Sequence, residues 1–234
     1  MVKSELIKQS PLRILDDSTH GGVGIGNIGV LAARQGTGKT AALVHLAIDK
    51  LFQDKHVIHV TFSQRPDHIL AYYEEIFTEI SKLKHLEGAM AVHDDVIRNR
   101  TIMNFNDQKA SSTTHVIESL NARIKEGAFK ANTVIIDEFD FAHSTPADIK
   151  AFKAFALAQN LEIWFSISLD KESDAQLAHD VPEVLKNFVE EVAVLINLKP
   201  SKGRIHFALI KDHGHKPADL HLLLDTKTLL IVKE

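Results

Sequence analysis

Between residues 28 and 52 the chain reads as a strand, a glycine turn and a helix in direct succession. Residues 28–32 are a short apolar run with the length of a buried strand. Residues 39–52 are rich in Ala and Leu and hold no helix breaker. The segment that joins them, Ala33-Arg34-Gln35-Gly36-Thr37-Gly38-Lys39-Thr40, has two glycines where the backbone must curl.

The rest of the chain repeats the alternation. Residues 57–62 are expected as a strand and 66–84 as a helix, with Pro66 suited to the first turn. Helix is expected again over 86–99, 113–125, 147–159 and 181–188. Strands are expected over 101–105, 133–136 and 162–168. The tail changes character, with strand-like runs at 192–198, 204–211, 220–224 and 229–232. Residues 1–20 read as an irregular lead-in and 21–26 as a turn-rich approach to the first strand. Strand–helix alternation implies an α/β fold of three layers: a mostly parallel sheet flanked by helices, extended by C-terminal antiparallel strands. No repeat or linker divides the 234 residues, so one domain over 1–234 is expected.

The glycine segment fits phosphate chemistry. Gly36 and Gly38 let successive N–H groups point inward at phosphate oxygens. The expected cradle is Ala33, Arg34, Gln35, Gly36, Thr37, Gly38, Lys39, Thr40 and Ala41. Lys39 would reach the β- and γ-phosphates, and the Thr40 hydroxyl would coordinate Mg²⁺. The helix that follows offers its positive end to the anion. Chance supplies such a pattern in about one random chain of fifty, and the strand before it and helix after it remove most of those. Ala33 stands where the general pattern has glycine. The run Thr133-Val134-Ile135-Ile136 ends in Asp137-Glu138. An apolar strand ending in two carboxylates places Asp137 as the Mg²⁺ partner and Glu138 as a group to orient or deprotonate water. No Asn/Thr-Lys-x-Asp guanine-reading motif is present, so ATP is favoured over GTP.

At this point the chain resembles the RecA-like P-loop ATPases, most closely the KaiC and DnaB branch. The likeness rests on Gly21-Gly22, on residues 33–40, on Val60-Thr61-Phe62-Ser63-Gln64, on residues 135–138 and on Leu209-Ile210-Lys211-Asp212-His213-Gly214. It implies an ATPase that uses Mg²⁺ and assembles as a homo-oligomeric ring or with a protein partner. Two departures stand out. The resemblance implies a catalytic glutamate after the second strand, where this chain has Ser63-Gln64; Gln64 could position water but is no carboxylate base. It also implies a Lys-x-Arg pair that reaches a neighbouring subunit's nucleotide; here Lys211 is kept and His213 replaces arginine. Ser168, near the end of the strand at 162–168, falls where the resemblance implies a polar sensor of the γ-phosphate; Ser166 lies beside it in sequence.

Other features narrow the choice. The chain has no cysteine, which excludes disulfides and thiolate metal sites and fits a reducing cytoplasm. His213 and His215 are spaced to share a metal ion, but no third ligand is evident. No apolar run nears the roughly 20 residues of a membrane helix. A net charge of −4 and one tryptophan, Trp164, do not favour a nucleic-acid surface. The reading is therefore an ATP-binding protein with slow intrinsic hydrolysis. The alternatives are a regulatory nucleotide-binding module with little hydrolysis and a DNA-processing motor subunit.

Overall fold

The first strand, β1 (Ile28–Arg34), is buried along almost its whole length, as a strand covered on both faces must be. The computed structural model describes residues 2–62, 65–83, 89–105, 111–169 and 180–234. Around β1 run β2 (His56–Thr61), β3 (Arg100–Asn104), β4 (Ala131–Asp137) and β5 (Glu162–Leu169). They are followed by β6 (Val194–Ser201), β7 (Arg204–Asp212), β8 (Leu222–Leu224) and β9 (Ile231–Lys233). All of these strands join one sheet in the order β3-β2-β4-β5-β1-β6-β7-β8-β9. Every pair from β3 to β6 is parallel, and β7, β8 and β9 add antiparallel strands. The expected fold class holds, with one refinement: the tail's first strand, β6, still runs parallel to β1.

Two cores lie on the two faces, sorted by the period-two alternation of strand side chains. Leu31, Ala33 and Ile135 face a core shared with α1 (Val2–Lys8), α2 (Leu12–Ser18), α3 (Lys39–Phe52), α4 (Pro66–Leu83) and α5 (Ala89–Arg98). Ile28, Val30, Ala32, Val134 and Ile136 face the other, shared with α6 (Thr113–Lys125) and α7 (Pro146–Gln159). In α3 every residue except Lys50 is buried. A helix enclosed on all sides must be apolar nearly all round, which its Ala- and Leu-rich sequence is. The far edge of the sheet curls toward it: the Ile231 N–H of β9 donates to His45 Nδ1 of α3 at 2.8 Å. Among the described residues no helix is long and apolar enough to cross a membrane.

The lead-in is not irregular. It folds into α1 and α2, seven residues each, which bury Leu6, Leu12 and Leu15 in the α3 core. Two short helices with one or two buried leucines apiece carry too little periodicity to read from sequence. Residues 181–188, expected as a helix, contain a six-residue 3₁₀ segment, Glu183–Phe188, opened by Pro182. Such short connectors are the usual setting for 3₁₀ geometry. Helix α3 begins and ends where its sequence pattern does, as does α6.

Candidate functional site

Parallel neighbours β4, β5 and β1 end at the same rim of the sheet, so their last residues meet although they are far apart in sequence. From β1 the chain enters the glycine loop. Gly36 and Gly38 have φ of +76° and +92°, the left-handed region that side chains resist. A Cβ on Gly38 would also stand 2.5 Å from Leu224 Cδ2, so the end of β8 closes directly on the loop. Gly38 is the N-cap of α3 and has no side chain to spend on the helix's free N–H groups. Those donors remain available to an anion.

Lys39 opens α3 with its side chain 2% exposed. Its ammonium donates to Ser168 Oγ at 2.9 Å and to the Arg34 carbonyl at 3.3 Å, and lies 3.1 Å from Glu138 Oε1. Ser168 in turn donates to Glu138 Oε2 at 2.8 Å. The next residue, Thr40, donates its hydroxyl to Asp137 Oδ2 at 2.7 Å. Ser166 donates to Asp137 Oδ1 at 2.5 Å and accepts the Glu138 N–H at 2.8 Å. Glu138 has φ of +58°, an unusual value for a side-chain-bearing residue other than asparagine or aspartate. The Ser166 clamp on its amide holds that turn.

Asp137 is fully buried. Burial drives its carboxyl pKa above the usual range, opposed by the Ser166 and Thr40 hydroxyls and the Lys39 charge. A carboxylate kept under that penalty gains from any cation placed beside it. Thr40 Oγ1 and Asp137 Oδ2 fit Mg²⁺ as hard oxygen donors. Two cis ligands of an octahedral ion at about 2.1 Å stand about 3 Å apart, near the 2.7 Å observed here.

The sequence-predicted residues thus divide into three groups. Lys39, Thr40, Asp137, Glu138 and Ser168 form one bonded cluster, and Ala33, Arg34, Gln35, Thr37 and Ala41 lie in the loop that frames it. Ala33 and Ala41 are buried, while Gln35 is exposed. Gln64, with Ser63, lies outside the described residues. Lys211 and His213 sit at the opposite rim. Asp212, between them, pairs with Val194, which pairs with Gly29 near the start of β1. That is about 16 Å below the loop at 3.3 Å per residue. There Lys211 donates to the Val189 carbonyl and His213 Nε2 meets the Gly22 carbonyl at 3.0 Å. Asp212 accepts from His20, whose ring stacks on His215 at 3.9 Å, and no group of three metal-ligating residues forms among the described residues. Ser166 is the site residue that the sequence underweights. It lies two residues before Ser168, hence on the same side of β5.

Comparison with known proteins agrees with this geometry. The family model described as "ATPase: KaiC" matches residues 9–162, well over half of the chain. The chain belongs to the KaiC ATPase family. It is a RecA-like P-loop ATPase domain and an ATP-binding fold. Among solved structures it resembles the ATPase domain of a DnaB-like protein, with a TM-score of 0.73 and 13% identity. That match covers 95% of this chain and 89% of the other, and it supports the fold alone. No curated protein sequence matches the chain. In this family member the bonded cluster occupies the strand ends that border the glycine loop, where the resemblance led one to expect nucleotide.

Proposed function

We propose that this KaiC-family domain is a Mg²⁺-dependent ATPase with slow hydrolysis. The observation that supports it most is the Lys39–Ser168–Glu138 cluster beside the Thr40–Asp137 pair at the mouth of the glycine loop. In this reading the loop amides and Lys39 bind the triphosphate, with Lys39 bridging its β- and γ-phosphates. Thr40 and Asp137 hold Mg²⁺, which neutralises phosphate charge when bound. Ser166 keeps the Asp137 carboxylate oriented toward Thr40. Glu138 orients the attacking water, and Ser168 reports the γ-phosphate to it. Hydrolysis is slow because both Glu138 oxygens are engaged by Lys39 and Ser168 until substrate draws the ammonium away. Assembly into a ring, with Lys211 and His213 facing a neighbour's nucleotide, belongs to the same reading. Both side chains would have to leave their present backbone partners.

The engaged state of Glu138 also favours a second reading, a regulatory module that binds ATP and scarcely turns it over. Steady-state phosphate release separates the two. Glu138→Gln should lower kcat by at least about a hundredfold, the low end for a positioned general base. Nucleotide affinity should hardly change, since the shape is kept. Loss of turnover in Gln64→Ala but not in Glu138→Gln would move water positioning to Gln64. Equal inertness of the parent and both variants at high protein concentration would establish the regulatory module instead.

A further inference from the structure

Away from the glycine loop, a cavity of ≈ 420 Å³ lies between α1, the second half of α3, the end of α4 and β9. This is the volume range of small-molecule sites. Its walls are largely apolar and include Leu6, Phe52, Ile80 and Leu230. Two wall residues from α3 break that pattern. His45 and Asp49 are four apart, hence on one helix face one turn from each other, and are only 5% and 3% exposed.

Among the described residues, each of them has one polar atom without a partner. His45 Nδ1 accepts the Ile231 N–H at 2.8 Å. A backbone amide can only donate, so Nδ1 carries the lone pair and Nε2 the proton. Burial pushes the ring's pKa down to about 4, which keeps it neutral near pH 7. No described protein group accepts the Nε2–H. On Asp49, Oδ2 takes the Arg13 guanidinium and, at 2.7 Å, the Gln53 amide. Its other oxygen, Oδ1, is buried without a donor. An apolar cavity wall therefore holds one unanswered donor and one unanswered acceptor, each costing on the order of a lost hydrogen bond.

We propose that this cavity binds a small neutral molecule with an apolar body and a carboxamide, its oxygen accepting from His45 Nε2 and its N–H donating to Asp49 Oδ1. The residues set the chemistry. A carboxamide carries acceptor and donor on separate atoms, which suits two groups a helical turn apart; a hydroxyl has both on one atom. An anion would meet the Asp49 carboxylate, and a cation would meet a charge that Arg13 already balances. Water could answer the two polar atoms, but its share of liquid volume is about 30 Å³, and the rest of this cavity offers it few partners. The site does not depend on the nucleotide reading, because none of its walls belongs to the Lys39 cluster.

Benzamide is a suitable probe, titrated into the whole chain while the methyl resonances of Leu6, Ile80 and Leu230 are followed by NMR. Saturable shifts are expected with a dissociation constant of about 1 mM or lower, in line with so small a ligand. Toluene, the same body without the amide, should bind at least about fivefold more weakly, the order of a net hydrogen bond. N,N-dimethylbenzamide, which lacks the N–H donor, should also lose affinity. His45→Asn keeps a side-chain acceptor near the Nδ1 position for Ile231 and removes the Nε2 donor. It should bring benzamide down to the level of toluene. Equal binding of benzamide and toluene, no saturation by benzamide, or an unchanged preference in His45→Asn would each overturn the proposal. Should that variant fail to fold, the parent decides: N,N-dimethylbenzamide binding as well as benzamide overturns it.

Discussion

At the rim where β1, β4 and β5 end, Lys39, Ser168, Glu138, Asp137, Thr40 and Ser166 bond side chain to side chain across as many as 129 residues of sequence. At the opposite rim, Lys211 and His213 bond to backbone carbonyls of Val189 and Gly22. Both rims carry charged groups, and both carry segments that resemble family motifs. The difference lies in who answers the charge. A polar group closed on a backbone carbonyl is satisfied locally and need not respond to anything else. In the upper cluster an ammonium, two carboxylates and three hydroxyls satisfy one another, so a triphosphate and a cation can take over bonds already present. Buried ion pairs of this kind add little net stability, because desolvation consumes most of the attraction. They are better understood as a site kept in readiness.

If that contrast is right, the largest effect belongs to Lys39→Ala. It removes the cation of the upper cluster and should abolish high-affinity triphosphate binding, a loss of at least about a hundredfold. Titration with labelled ATP checks it, and an unchanged affinity would erase the distinction between the rims. Asp137→Asn comes next. It should weaken Mg²⁺-dependent binding by about tenfold or more, of the order of a charge-assisted contact. The same change relieves a buried carboxyl whose pKa burial has raised, so Tm of the protein freed of metal and nucleotide should rise. Identical Mg²⁺ dependence in variant and parent would remove Asp137 from the cluster's work.

The interior away from both rims supplies a pH control. His45 and His59 are buried, and burial drives their pKa values down to about 4 and about 3. A depressed histidine pKa contributes stability that is present above the unfolded value of about 6.5. That stability is lost as pH falls through the folded values, because the unfolded state binds the protons. Urea denaturation between pH 7 and pH 4 should therefore show falling stability, by up to several kcal/mol at about 1.36 kcal/mol per unit. A slope that His45→Asn leaves unchanged would count against its burial. The smallest effect is expected from Lys211→Ala and His213→Ala. Neither touches the upper cluster, so ATP affinity of the dissociated chain should stay within about twofold of the parent, as for distant sites that do not couple.

How much of this was legible in the sequence depends on how local the cause is. Residues 36–40 announce their turn and their helix within a few positions, and α3 starts and stops as its pattern says. The apolar run into Asp137 marks a buried strand by itself. The pairing of Lys39 with Glu138 and Ser168 was not legible, since it depends on the strand order β4-β5-β1, which no local pattern states. Leu224 against Gly38 is hidden for the same reason: it needs β8 to arrive beside the loop after three changes of strand. Ser166 was within reach, because alternation puts it on the same side of β5 as Ser168. Helices α1 and α2 were missed for a different reason, seven residues being too few for a period of about 3.6 to show.

The central claim is that the Lys39 cluster is a triphosphate site in waiting. The most direct test is a structure of the protein with a non-hydrolysable ATP analogue and Mg²⁺. The account predicts phosphates along residues 35–40, Lys39 drawn from Glu138 to the γ-phosphate, and the cation at Thr40 and Asp137. Nucleotide bound elsewhere, with the Lys39–Glu138 and Thr40–Asp137 contacts intact beneath it, would contradict it.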